Sequence, residues 1–168
     1  MVFSIRKAEL SDLSSIQKIC IDTWKETYKT IYSTEYMSRV FSIFYSDERL
    51  KKDITKISAE WNGYWVAVEN NQILGCIGGG IDEAGNANVY VLYVSPDAQG
   101  RGVGHALLEA LTAYQKQAFH SIKQLVSVTE GNQIGISFYE RQGFTLFEAV
   151  TNWVDASQVR DLHYIREI

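Results

Sequence analysis

A chain of 168 residues has the length of one domain, and 46% apolar with 21% charged residues is the balance of a globular protein with a real core. Its net charge of −4 speaks against a nucleic-acid-backbone binder, which would be basic. No apolar run approaches the ~20 residues that span a bilayer, and Met1–Arg6 lacks a signal-peptide core, so the default setting is cytoplasmic.

Val2–Arg6 alternates apolar and polar residues, as a half-buried strand does. Ser11 or Asp12 can cap a helix that places Leu13, Ile16, Ile19, Cys20 and Trp24 on one face. Further helical patterns run from Thr34 to Phe44 and from Asp47 to about Ile57. The aromatic set Trp24, Tyr28, Tyr32, Tyr36, Phe41, Phe44 and Tyr45 reads mainly as core or helix packing, with some members free to wall a pocket. Tyr64–Val68 and Ile73–Gly80 flank Glu69-Asn70-Asn71-Gln72, a hairpin turn because Asn tolerates positive φ. A second turn at Asp82–Asn86 leads into a strand ending at Val94.

The sole proline, Pro96, lacks a ladder donor and belongs at that strand's end. Val103–Lys116 is an amphipathic helix with Val103, Leu107, Ala110, Leu111 and Tyr114 on one face. Leu125–Val128 reads as a strand, Ile134–Gln142 as a short helix and Phe144–Val150 as a strand. Trp153 to about Asp161 reads as a loop, closed by His163–Ile168 as the last strand. Cys20 and Cys76 read as buried structural thiols, and neither they nor His105, His120 and His163 have metal-ligand spacing. No linker, repeat or low-complexity tract divides residues 1–168, which form a single mixed α/β domain.

The segment Tyr90–Glu109 carries the chemistry. An apolar strand runs into Gln99-Gly100-Arg101-Gly102-Val103-Gly104 and then into a helix. Glycines at alternate positions let the backbone turn tightly, and the first N–H groups of the helix have no intrahelical partners, so a phosphate or pyrophosphate fits there. A nucleoside-triphosphate loop requires Gly-Lys-Ser/Thr, but His105 and Ala106 follow the last glycine. A dinucleotide fingerprint requires a third glycine where His105 stands.

What remains, Gln99-x-x-Gly102-x-Gly104 after a strand, resembles the acyl-coenzyme A loop of the GCN5-related N-acetyltransferases, the GNAT superfamily. Asn132-Gln133-Ile134-Gly135-Ile136-Ser137-Phe138-Tyr139-Glu140-Arg141-Gln142-Gly143-Phe144 resembles that family's later signature, with Gly135 where Ala is usual. The similarity is sharp over about Tyr90–Phe144 and looser elsewhere. It implies an acyl-CoA N-acyltransferase fold, a mixed α/β sheet with splayed central strands flanked by helices. It also implies acetyl-CoA as acyl donor, no metal, and transfer to a primary amine of a small molecule or a protein by direct attack in a ternary complex.

The resemblance assigns the donor's binding to Leu92, Tyr93, Val94, Gln99, Gly100, Arg101, Gly102, Val103, Gly104 and Asn132. A backbone N–H near Val94 would polarise the thioester carbonyl, a type of contact worth about 3–4 kcal/mol where tested. Arg101 would add a charge-assisted contact to phosphate or stand as a solvated surface arginine. Tyr139, whose phenol ordinarily titrates at about 10, would protonate the leaving thiolate, the competing reading being packing. Asn132 would bond the pantetheine arm, cap a helix, or do both.

Many relatives carry a basic Glu at the position of Asn88, which cannot take a proton. Glu26 is therefore the candidate base, with Asp22 and Glu130 as alternatives, unless the amine arrives neutral. Trp24, Tyr28 and Tyr32, with Trp153, would wall the acceptor pocket, where aromatic faces near Asp22 and Glu26 suit a cationic amine. No nucleic-acid or membrane partner is expected, and homodimers are common in the resembling family. The alternative function is a non-enzymatic acyl-CoA sensor or interaction module.

Overall fold

The computed structural model describes residues 2–151 and 159–168. Its strands are β1 (Ser4–Lys7), β2 (Tyr64–Glu69), β3 (Gln72–Ile81), β4 (Ala87–Val94), β5 (Lys123–Thr129), β6 (Thr145–Thr151) and β7 (Arg160–Glu167). Its α-helices are α1 (Leu13–Tyr28), α2 (Thr34–Phe44), α3 (Asp47–Thr55), α4 (Val103–Phe119) and α5 (Gln133–Arg141). The strands form one mixed sheet in the order β1-β2-β3-β4-β5-β7-β6, antiparallel except for the β4/β5 pair. This is the expected fold class.

Helices cover both faces because each sheet face carries its own apolar set. Val66 and Cys76 pack with Ile16, Cys20, Tyr28, Tyr36, Val40, Leu50 and Ile54 of α1–α3. Ala67, Ile77, Val89, Val126 and Val128 pack with Leu107, Leu108 and Leu111 of α4 and Tyr139 of α5. Cys20 and Cys76 are buried and free, with Sγ atoms 3.7 Å apart. The β2/β3 turn uses left-handed backbone at both Asn70 and Asn71, as their side chains allow.

Several boundaries differ from the sequence reading, those of α3, α4 and β7 among them. Helix α3 stops at Thr55 because Lys56 is extended, and α4 runs to Phe119, where left-handed His120 closes it onto the Lys116 carbonyl. Strand β7 begins at Arg160, inside the expected loop, because Arg160 and Asp161 pair with β6 and Asp161 also pairs with Thr129 of β5.

One feature of the sheet positions the site. β4 and β5 pair only over Ala87–Val89 and Gln124–Val126 and then separate. Opposite Gly78 and Gly79 of β3 stand Val91 and Val89, leaving Tyr90 as the extra residue of a bulge. A bulge bends its strand, so β4 turns away from β5, which stays paired with β7. The closed end of this fork is pinned by a buried polar network. Gln115 donates to the Asn88 carbonyl at 3.0 Å and to Asn62 Oδ1 at 3.1 Å, and accepts from Gln124 at 3.0 Å. Arg166 then donates to Gln124 at 2.9 Å and to Thr112 at 3.1 Å.

Candidate active site

The fork leaves one edge of β4 without a strand partner beyond Val89. Ser95 N–H donates to the Leu74 carbonyl on the β3 side, whereas the Val94 carbonyl accepts from Gln99 Nε2 at 3.2 Å on the open side. Strand alternation therefore aims the N–H groups of Leu92 and Val94 into the gap. Free N–H groups of this kind can donate to a carbonyl oxygen placed in the gap.

Past Val94 the chain makes a short turn at Pro96–Ala98 and enters the glycine loop. Gly100 and Gly102 have φ of +76° and +83°, and Gly102 caps α4 in the left-handed region, where a side chain is strained. A Cβ at either position would meet nothing within 4 Å, so the loop forms an open backbone cradle at the helix N-terminus. The Arg101 guanidinium turns away and pairs with Glu69 at 2.7 Å.

A cavity of about 480 Å³ runs from this cradle into the fork. It is lined by Leu92, Tyr93, Val94, Gln99, Gly100, Gly102, Val103, Gly104, Asn132 and Tyr139, so the structure unites these expected donor-site residues; the Arg101 side chain is not in the lining. Tyr139 is only 8% exposed and is fixed by edge-on contacts with Phe138 and Phe144, at ring separations of 5.1 and 5.4 Å. Burial pushes its phenol well above the ordinary tyrosine range, with Tyr28 adding to the shift, so it holds its proton throughout neutral pH.

Asn132 performs two tasks. Its Oδ1 caps α5 by accepting from Gly135 N–H at 3.0 Å, and its Nδ2 donates to the Tyr28 hydroxyl at 3.4 Å. A Cβ at position 135 would lie 2.7 Å from Asn132 Nδ2, so the cap side chain would have to shift to admit one.

A second cavity, of about 700 Å³, lies on the α1–α3 face and is walled by Trp24, Tyr28, Tyr32, Tyr36, Tyr64 and Trp61. Trp24 stacks over Tyr32 at 5.8 Å, and Tyr32 over Tyr36 at 4.2 Å. The expected acceptor walls Trp24, Tyr28 and Tyr32 are thus both core residues and cavity lining. Trp153 lies outside the described residues.

The expected carboxylates are elsewhere. Glu26 lines neither cavity; it is exposed on α1 and paired with Lys29 at 2.8 Å. Its place on the outer face of α1, away from the buried stripe Ile16-Cys20-Thr23, is the reason. Asp22 pairs with Lys18, and Glu130 with Arg160, which holds the Glu130 carboxyl below its ordinary range. Asn88 donates to Asp82 at 3.1 Å. Instead, Asp53, Glu60 and Asp161 line the aromatic cavity. Asp53 is bound by Arg49 at 2.9 Å, although burial outweighs that pairing and raises its carboxyl. Asp161 stands beside Thr129 on β7, and its charge acts on both Tyr28 and Tyr32.

Sequence reasoning also missed Thr23, Thr27, Tyr90 and Ser127, which line the donor-side cavity. Thr23 carried one signal, a polar residue in phase with the buried Ile16 and Cys20, whereas Ser127 lies on the exposed face of β5 and Tyr90 is 53% exposed. The two cavities share Tyr28, Tyr90, Tyr93 and Ser127, so they meet at the fork. Among the described residues no cluster of His, Cys, Asp and Glu could hold a metal ion, and no helix is long and apolar enough to cross a membrane.

Residues 21–144 match the model of the acetyltransferase (GNAT) family. The chain is 30% identical over 146 residues to a spermidine N(1)-acetyltransferase of Thermoplasma acidophilum, covering 86% of this chain and 89% of that one. The PaiA N-acetyltransferase from Thermoplasma acidophilum, solved in complex with coenzyme A, superposes with a TM-score of 0.86 at 25% identity over 100% of both chains. The ribosomal-protein-S18-alanine N-acetyltransferase from Escherichia coli shares the fold, with a TM-score of 0.71 at 16% identity over 99% of this chain and 94% of that one. The chain belongs to the acetyltransferase (GNAT) family, as an N-acetyltransferase whose acetyl donor is acetyl-coenzyme A.

Proposed function

We propose that the protein acetylates a small cationic primary amine by direct attack while both substrates are bound. The observation that carries this reading is the meeting of the two cavities at Tyr28, Tyr90, Tyr93 and Ser127. Two reactants held against each other in one site gain the large advantage of proximity, and no covalent enzyme intermediate is needed.

In this reading the Gly100–Gly104 backbone binds the donor's phosphates, and the N–H groups of Leu92 and Val94 take the arm and the acyl oxygen. Bound acetyl-coenzyme A supplies an activated acyl group. Tyr139 gives its phenolic proton to the departing thiolate, and its buried position keeps that proton in place until then. Asn132 holds Tyr28 and the start of α5. The aromatic wall and Asp161 attract the acceptor's cation, and Asp161 replaces Glu26 as the carboxylate suited to the amine's proton. The polyamine named for the Thermoplasma relative has the required chemistry, and this reading takes such an amine as acceptor.

The test is thiol release from acetyl-coenzyme A across diamines, polyamines, amino acids and peptides with free N-termini. Release with diamines or polyamines supports the reading. Release with peptides alone sinks the small-amine acceptor, and tight donor binding without turnover on any amine sinks the acceptor assignment as a whole.

A further inference from the structure

Helix α5, which carries Tyr139, is only nine residues long, and a helix that short takes its place from its anchors rather than from its own hydrogen bonds. Its N-terminus is capped by Asn132. Its C-terminus is held by a residue distant in sequence. Arg166, on β7, donates from Nη1 to the carbonyl of Gln142 at 2.8 Å, and Gln142 is the residue that closes α5. A cation there also meets the negative end of the helix dipole.

The same guanidinium lies over the Phe144 ring, 4.7 Å from its centre. Phe144 is buried, stands edge-on to the Tyr139 ring at 5.4 Å, and its N–H donates to the Tyr139 carbonyl at 3.1 Å. Arg166 thus touches both parts that confine Tyr139, the end of its helix and the ring against its own. Its remaining donors face the other way, Nε to Gln124 at 2.9 Å and Nη2 to Thr112 at 3.1 Å. These belong to the network that pins the closed end of the fork, so one side chain joins the fork to the helix of Tyr139.

This placement opposes stability. The Arg166 side chain is only 11% exposed, and among the described residues its one ion pair is with Glu109, at a loose 3.9 Å. Burial pushes the guanidinium below its ordinary range, and Glu109 opposes this only in part. The close acceptors are neutral: an amide oxygen, a hydroxyl and a backbone carbonyl. A nearly buried cation with such partners is a poor stabiliser, because its lost hydration is not recovered by a close opposite charge. What the guanidinium supplies instead is a rigid planar fork that fixes several acceptors in one geometry.

We propose that Arg166 is a positioning residue for the reaction: by gripping Gln142 and Phe144 it sets the place of the Tyr139 hydroxyl at the fork. This rests on the reading of Tyr139 as the group that protonates the leaving thiolate. A displacement of about 1 Å in such a site can slow the reaction by up to ~10²-fold.

Steady-state kinetics and calorimetry on Arg166→Lys, Tyr139→Phe and the double variant test this. Arg166→Met would strip three acceptors of their donor, so the milder Arg166→Lys, which keeps the charge but cannot span all three, carries the test. Arg166→Lys is expected to lower kcat about 10-fold with acetyl-coenzyme A affinity within about 2-fold of wild type. In the Tyr139→Phe background it should cost nothing further, because no proton is left to place. Asp12→Asn, which breaks an ion pair joined to the opposite edge of the sheet, should melt lower with kcat unchanged, separating lost stability from lost position. Losses that multiply in the double variant, losses equal in kcat and affinity, an unchanged kcat in Arg166→Lys, or an equal kcat loss in Asp12→Asn each overturn the proposal. Full kcat in Tyr139→Phe alone would instead overturn the reading of Tyr139 as proton donor.

Discussion

Trp24 Nε1 donates to the phenolic oxygen of Tyr93 at 2.6 Å, tying α1 to the splayed end of β4. Tyr93 lines both cavities and Trp24 walls the aromatic one, so this bond fixes the partition where the two cavities meet. Tyr93→Phe leaves the indole N–H without its acceptor and should cost about 1–2 kcal/mol of stability. Steady-state kinetics should show the acceptor KM rising more than the acetyl-coenzyme A KM. Equal changes in both would show that the bond holds the fold but not the partition.

Tyr139→Phe keeps the ring packing with Phe138 and Phe144 and removes only the proton. It should lower kcat by about 10²-fold or more, with acetyl-coenzyme A affinity by calorimetry nearly unchanged. Because burial raises the phenol, wild-type activity should show no fall through pH 7–9 from this group. A variant with full turnover across that range would remove Tyr139 from the reaction.

Gly102→Ala places a side chain at φ +83° and fills part of the cradle. The strain of a non-glycine residue there is roughly 1–2 kcal/mol, and acetyl-coenzyme A affinity should fall about tenfold or more. Retained affinity with normal melting would show that the donor's phosphates are held elsewhere.

Asp161→Asn preserves size and removes the charge that acts on Tyr28 and Tyr32. For a diamine acceptor kcat/KM should fall about tenfold, the equivalent of ~1.4 kcal/mol, while acetyl-coenzyme A binding stays constant. An uncharged acceptor analogue should not register the change. If it does, the carboxylate serves the protein's own structure.

The Arg6–Asp12 pair, at 2.7 Å with the Asp12 side chain only 8% exposed, joins β1 to the start of α1. The Arg6 hydrogen bond holds the Asp12 carboxyl below its ordinary range, against the opposing effect of burial. A carboxyl whose folded value is depressed stabilises fully above its unfolded value, about 3.9, and loses that contribution as pH falls through the folded value. Asp12→Asn should therefore cost about 1–2 kcal/mol at neutral pH. The gap to wild type should shrink below about pH 4. Denaturant midpoints measured from pH 3 to 7 check this, and a constant gap would contradict the assignment.

Much of this molecule was legible in its sequence because the signals were local. Periodicity marked the helices, Asn70-Asn71 and Pro96 marked chain reversals, and alternating glycines after an apolar strand marked the tight turn that opens α4. Tyr139 and Asn132 were legible from the second motif because their spacing is held within one short helix. Glu26 and Arg101 show the limit. Each was read from chemistry and proximity in sequence, yet helix phase turns Glu26 to solvent and an ion pair across the loop draws Arg101 to Glu69.

What only the tertiary structure decided is which residues from distant segments share one space. Asp161 enters the aromatic cavity because β7 pairs with β5, and Ser127 is exposed to both cavities because β4 leaves β5 after Val89. A fork is a failure of strand pairing, caused by a single extra residue at Tyr90, and pairing between distant strands has no local sequence signature.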